Sequence, residues 1–179
     1  MRMNGLFYAA QSRSIETIEG LGRSGSPDHL RAAVEFGARA SVVDPSRLSE
    51  LEWDYEYGSN LADALKLSLS SLNGQSGRIV LCSDLFASAH TDERDKVVFS
   101  CPPARETLER TIEAIRSCGD ASVSIEALRY RSGETREHEE EPVDLVLDAI
   151  LAAGGRVEDV YIEDAFQGQT PNMPWRYAG

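Results

Sequence analysis

Residues 78–84, RIVLCSD, form a nearly continuous apolar run closed by an aspartate. A strand with one wet face alternates apolar and polar residues, whereas an unbroken run fits a strand covered on both faces. Such strands belong to mostly parallel sheets with helices packed on either side. The flanking segments supply those helices. In SNLADALKLSLSSL (59–72), Leu61, Leu65, Leu69 and Leu72 line one face, and Ala62 and Leu67 widen it. Ser59 is the expected N-cap and Gly74 the stop. PARETLERTIEAIRSCG (103–119) reads as a second helix, with Pro103 near its start and Gly119 at its end. VDLVLDAILAAGG (143–155) reads as a third.

Strand-like pieces alternate with these helices. GLFYAA (5–10) is short and apolar and is expected to be a buried strand, followed by a helix over SIETIEGL (14–21). RAAVEFG (31–37) and RASVVD (39–44) read as a hairpin turning at Gly37-Ala38. ASVSIEALRY (121–130) and RVEDVYIE (156–163) complete the strand set, with SGETREHEEEP (132–142) between them as a charged surface loop. The expected fold is α/β, Rossmann-like and doubly wound, with helices on both faces. Its mostly parallel central sheet has about six strands, one of them an antiparallel edge strand. Residues 1–167 are read as one domain, and 168–179, with two prolines, Trp175 and Tyr177, as a tail or docking arm.

Charge narrows the function. The formal net charge is −12 over 179 residues. An acidic surface repels phosphate backbones, so nucleic acid is not an expected partner. It favours solubility and a basic partner. No apolar run reaches the roughly 18 to 20 residues of a membrane span. The start, MRMNG, lacks the apolar stretch of a signal peptide, and the expected location is the cytoplasm. Cys82, Cys101 and Cys118 are odd in number and irregularly spaced, which argues against a disulfide framework and a zinc site.

Four stretches in order, AQSRS (10–14), VEFGARASVV (34–43), YGSNLADAL (57–65) and RIVLCSDL (78–85), resemble the von Willebrand factor A (vWA) family. Members of that family have a first strand ending in Asp-x-Ser-x-Ser, a hairpin, a Gly-Thr-Asn step opening a leucine-rich helix, and a strand ending in Ser/Thr-Asp-Gly. The resemblance covers residues 5 to 130 best. It implies a protein-docking module that uses the loops at the carboxyl ends of the strands. There a divalent cation, usually magnesium, is held by serines, a threonine and aspartates, and a partner carboxylate completes its shell. The matching positions here are Ala10, Ser12, Ser14, Ser59 and Asp84. With Asn60 beside Ser59, the implied partner-binding set is Ser12, Ser14, Ser59, Asn60 and Asp84. The implied partner is another protein, such as an AAA-type ATPase or another subunit of a complex.

This sequence departs from the family pattern at the metal. Ala10 stands where the first aspartate belongs, and Leu85 where the glycine belongs. Magnesium normally needs one or two carboxylates to anchor its octahedron. Ser12, Ser14, Ser59 and Asp84 offer three hydroxyls and one carboxylate, a degenerate site of weak Mg²⁺ affinity at best. The bland alternative is that the serines cap helices and Asp84 accepts backbone N–H groups at a turn.

Other motifs carry less. GLGRSG (20–25) fits a dinucleotide glycine pattern but follows a helical stretch, so it reads as a helix stop. His29, His90 and His138 fall in expected loops. The expected function is therefore a non-catalytic interaction module. The alternative is a small-molecule enzyme with Asp84 as an acid-base or metal-binding carboxylate, which needs His90, Glu56 or Asp92 within hydrogen-bond reach of it. A third reading is an oligomer subunit whose tail packs on a neighbour.

Overall fold

The computed structural model describes residues 4–23, 32–44, 58–131 and 137–161, with the side chains of 4–9, 21–23 and 137–140 excepted. In chain order the elements are α1 (Asn4–Arg23), β1 (Ala33–Phe36), β2 (Ala40–Val43), α2 (Leu61–Ser71), β3 (Gly77–Ser83), β4 (Ala89–Thr91), β5 (Val97–Phe99), α3 (Arg105–Asp120), β6 (Val123–Arg131), α4 (Glu137–Ala152) and β7 (Arg156–Tyr161). β3, β6 and β7 form a parallel sheet in that order, while β1–β2 and β4–β5 are separate antiparallel hairpins. The α/β class and the parallel sheet agree with the sequence. The six-stranded sheet with an antiparallel edge strand does not form among the described residues.

The sheet's first face carries the main core. Ile79 pairs with Ile125 and Leu81 with Ala127 in register. These residues meet Leu61 and Leu65 of α2, Ile115 and Cys118 of α3, and Val146 and Ile150 of α4. On the second face α1 covers the C-terminal end, where Ala10 packs on Tyr130 beside Cys82 and Val160. Farther down that face Glu126 pairs with Arg78 at 3.0 Å and with Arg156. Ile15 and Ile18 of α1 pack on Ala33 and Val43, so α1 also ties the first hairpin to the body.

The expected strand over 5–10 is helical, and α1 runs unbroken through Ser12 and Ser14. The reason is local: residues 4–14 hold no β-branched residue, and Ala9, Ala10, Gln11 and Arg13 are good helix formers. Part of the expected charged loop 132–142 also belongs to a helix, since α4 begins at Glu137 and contains Pro142 in its second turn. Residues 132–136, 162–179 and Glu56 lie outside the described residues, as do His29 and the glycine-rich stretch from residue 24. The β4–β5 hairpin occupies a stretch expected to be loop.

Candidate partner-binding rim

Each of α2, α3 and α4 leads through a short turn into the parallel strand that follows it. Each helix therefore runs opposite to its strand, and its N-terminus lies at the strand's carboxyl end. Open α/β sheets bind ligands at that edge. It is built here from the α2 N-terminus, the segment 84–88 after β3, and the two hairpins.

Asn60 organises it. The residue has no exposed surface and is the N-cap of α2, in the place expected for Ser59. Its Oδ1 accepts from Asp63 N at 3.1 Å. Its Nδ2 lies within reach of Asp63 Oδ2 (2.7 Å), Thr91 Oγ1 (3.1 Å) and Ala38 O (3.2 Å). The Thr91 hydroxyl donates to Asp63 Oδ2 at 2.6 Å, which leaves its oxygen free to accept from Asn60. Asn60 N donates to Gly37 O at 2.8 Å, so the turn of the first hairpin is pinned to the same point. The sequence signal for this cap is an asparagine directly ahead of the leucine stripe with acidic Asp63 in the first turn.

Ser59 acts through its backbone. Its N–H donates to Ser88 Oγ at 3.0 Å, and its carbonyl accepts from Ser88 N and Ala89 N at 3.2 and 3.3 Å. Gly58 precedes it at φ +99°, in the region that favours glycine. A Cβ there would lie 2.9 Å from Ala89 Cβ and 3.1 Å from the ring of Phe99. Phe99 thus sits over Gly58, yet half of it remains exposed, and Val98 beside it is also exposed. The hairpin tips are joined as well: Arg39 reaches Asp95 through Nη1 to Oδ1 (3.1 Å) and Nη2 to the carbonyl (2.7 Å).

After β3 the chain turns sharply. Ser83 Oγ accepts from Leu85 N at 3.0 Å, and Asp84 Oδ1 accepts from Phe86 N at 3.2 Å. Leu85 is fully buried at φ +63°, the conformation that suits the glycine it replaces in the family pattern.

The two serines of AQSRS do not join this rim as one donor set. Residues two apart on a helix point about 200° apart. Ser12 is exposed, whereas Ser14 is buried, donates to Ala10 O at 2.7 Å and meets Tyr130 Oη at 2.9 Å. Ala10, the residue in place of the first aspartate, faces Tyr130 in an apolar contact. This donor set does not fit an octahedral cation, because Ser12 and Ser14 cannot turn to one ion. Among the described residues no group of three or more His, Cys, Asp or Glu side chains is placed to hold a metal.

His90 is 2% exposed in β4 and faces α3. Its Nδ1 lies 2.9 Å from Thr107 Oγ1, and its Nε2 lies 3.6 Å from Glu106 Oε1 without a hydrogen-bond partner. Glu106 is itself held by Arg110 at 2.8 Å. Toward the carboxyl ends of β6 and β7, Arg129 grips Asp159 through two hydrogen bonds of 2.5 and 2.7 Å, and Arg131 adds a third at 3.0 Å. The hydrogen bond from Arg129 holds the Asp159 carboxyl below its ordinary range.

An open parallel sheet with helices on both faces and a cross-braced rim at its carboxyl edge defines an α/β domain of the kind that presents loops to a ligand. The model of the family described as "Rv0959-like protein, vWA domain" matches residues 1–156. The chain belongs to the vWA domain family. No curated protein matches it closely. No helix among the described residues is long and apolar enough to cross a membrane.

Proposed function

We propose that this chain is a non-catalytic protein-interaction module, an adaptor or scaffold that offers its braced rim to another protein without needing a metal ion. The observation that carries this reading is the Asn60–Asp63–Thr91 network. It locks two hairpins and a helix start into one rigid surface, and a preorganised surface loses less freedom on binding. Exposed Phe99, lying over Gly58 at the edge of that surface, supplies an aromatic anchor of the kind that dominates interface energies. The acidic balance of the chain favours a basic surface on the partner, and an AAA-type ATPase subunit is the candidate that the family suggests.

The enzyme alternative assigns Asp84 an acid-base role with His90 beside it. The imidazole instead faces Thr107 and Glu106 on α3, which supports the docking reading.

Affinity capture from the native cell, with and without EDTA, tests the proposal. Phe99→Ser should abolish capture of the specific partner, while Leu151→Ser, at an exposed position of α4, should leave it intact. Capture lost on adding EDTA, or lost equally in the α4 control, would overturn it.

A further inference from the structure

Among the described residues one buried side-chain nitrogen has no hydrogen-bond partner: His90 Nε2. The ring is 2% exposed and stands against the first turn of α3, where Thr107 Oγ1, 2.9 Å from Nδ1, fixes its orientation. Nε2 then faces Glu106 Oε1 across 3.6 Å, too far for a hydrogen bond. Buried polar groups are normally satisfied, and an orphan of this kind calls for a water, an ion or a ligand.

The charge around the ring selects what completes it. In a neutral imidazole one nitrogen carries the proton and the other accepts. A bare Nε2 would turn its lone pair toward the Glu106 carboxylate. The favoured tautomer therefore puts the proton on Nε2 and lets Nδ1 accept from the Thr107 hydroxyl, so Nε2 is a donor. Arg110 brings a cation to the same place: its Nε and Nη2 both donate to Glu106 Oε1, at 3.1 and 2.8 Å. Arg110 and His90 thus converge on one carboxylate oxygen, which satisfies the first and falls short of the second. The start of a helix adds partial positive charge, and Ala104, the N-cap of α3, gives the first turn no side-chain hydrogen bond.

We propose that this is a carboxylate-binding site in which Glu106 is a resident stand-in. An acidic side chain of a partner protein replaces the Glu106 carboxylate, keeps the fork of Arg110 and closes the hydrogen bond to His90 Nε2. Glu106 leaves at little cost, because its side chain is 59% exposed and an exposed i, i+4 pair with arginine is a weak tie. Charge sets the class of ligand. With Glu106 swung out, Arg110 is the full charge at the site, and a carboxylate neutralises it. A phosphate dianion would add surplus negative charge to a chain already at −12. His90 pairs with Val98 in the β4–β5 hairpin, next to Phe99. A partner that receives Phe99 therefore places one acidic residue within an otherwise basic contact. That role rests on the docking proposal, whereas the site itself does not.

The test uses the full chain, with sodium acetate as the probe at constant ionic strength in sodium chloride, and follows the His90 ring signals by NMR. In Glu106→Ala the resident carboxylate is gone, and acetate should shift those signals to saturation in the millimolar range. The natural chain should show the same shifts with a midpoint about tenfold higher, because the tethered Glu106 carboxylate competes. Adding Arg110→Gln to Glu106→Ala should abolish the response, while adding Arg105→Gln, at an exposed position, should keep it. Circular dichroism confirms that each variant is folded. No saturable shift in Glu106→Ala, no response in the natural chain, a response that survives Arg110→Gln, or equally tight binding of inorganic phosphate would overturn the site. The acetate titration involves no partner, so its failure would leave the docking proposal standing, and a failed capture would leave the site standing.

Discussion

Asn60 Nδ2 stands 3.1 Å from Thr91 Oγ1, and through this pair the start of α2 is held to the β4–β5 hairpin. Removing the side chain would strip the cap from α2 and leave Asp63 N, Thr91 Oγ1 and Ala38 O short of a partner. A lost cap costs about 1 kcal/mol, and a stranded buried group about 1 to 3 kcal/mol. Asn60→Ala should therefore destabilise the chain by about 2 to 4 kcal/mol in urea denaturation. Ser59→Ala should stay within about 0.5 kcal/mol, because Ser59 contributes its backbone. A larger effect at Ser59 than at Asn60 would reverse the assignment of the cap.

Leu85 gives an unusual ordering of variants. Replacing a buried leucine with alanine costs about 2 to 5 kcal/mol, and glycine in place of alanine normally costs about 1 kcal/mol more. At φ +63° the second increment changes sign, because the left-handed region strains any residue with a Cβ by about 1 kcal/mol. Leu85→Gly should thus be at least as stable as Leu85→Ala by thermal melting, though both fall below the natural chain. Gly58→Ala should be destabilising for the mirror-image reason, since it adds a Cβ at φ +99° and drives it into Ala89 and Phe99.

The Arg129–Asp159 pair links stability to pH. The folded state holds the Asp159 carboxyl below its ordinary value of 3.8, chiefly through the hydrogen bond from Arg129. A carboxyl depressed in the folded state contributes stability that is fully present above the unfolded pKa. That contribution is lost as the pH falls through the folded pKa. Urea titrations should show the natural chain losing stability below about pH 4 more steeply than Asp159→Asn, with the two slopes merging above about pH 5. Equal acid slopes would remove Asp159 from the linkage.

Much of the fold is legible in the sequence where burial and period agree. RIVLCSD, the leucine stripe of α2 and the VEFG…ASVV hairpin all announce their states, because each buries an apolar face that only one geometry can align. GLFYAA does not announce its state: a run of six apolar or small residues suits a strand or a helix, and its alanines favour the helix that forms. The β4–β5 hairpin is hidden because its strands are three residues each and DERDK between them is polar. At the rim, Asn60 and Asp84 were legible through motif order. The hydroxyl partners Thr91 and Ser88, and Thr107 beside His90, were not, because a single hydroxyl carries no periodic signal and acquires its role only when distant segments meet.

Ala10→Asp brings the fold and the metal question to one experiment. If the AQSRS segment were one carboxylate short of a cation site, this change would create measurable magnesium affinity. Ala10 is 3% exposed and faces Tyr130 on the second sheet face, and Ser12 points the other way. An aspartate there buries a charge beside an apolar contact and gains no convergent donors. An unpaired buried charge of this kind is strongly unfavourable. The variant should lose about 3 kcal/mol or more in urea denaturation, and calorimetric titration with Mg²⁺ or Mn²⁺ up to millimolar concentration should give no site-specific heat. Magnesium binding that restores the lost stability would mean that Ser12, Ser14, Ser59 and Asp84 do converge, and the helical placement of Ser12 and Ser14 would fall with that result.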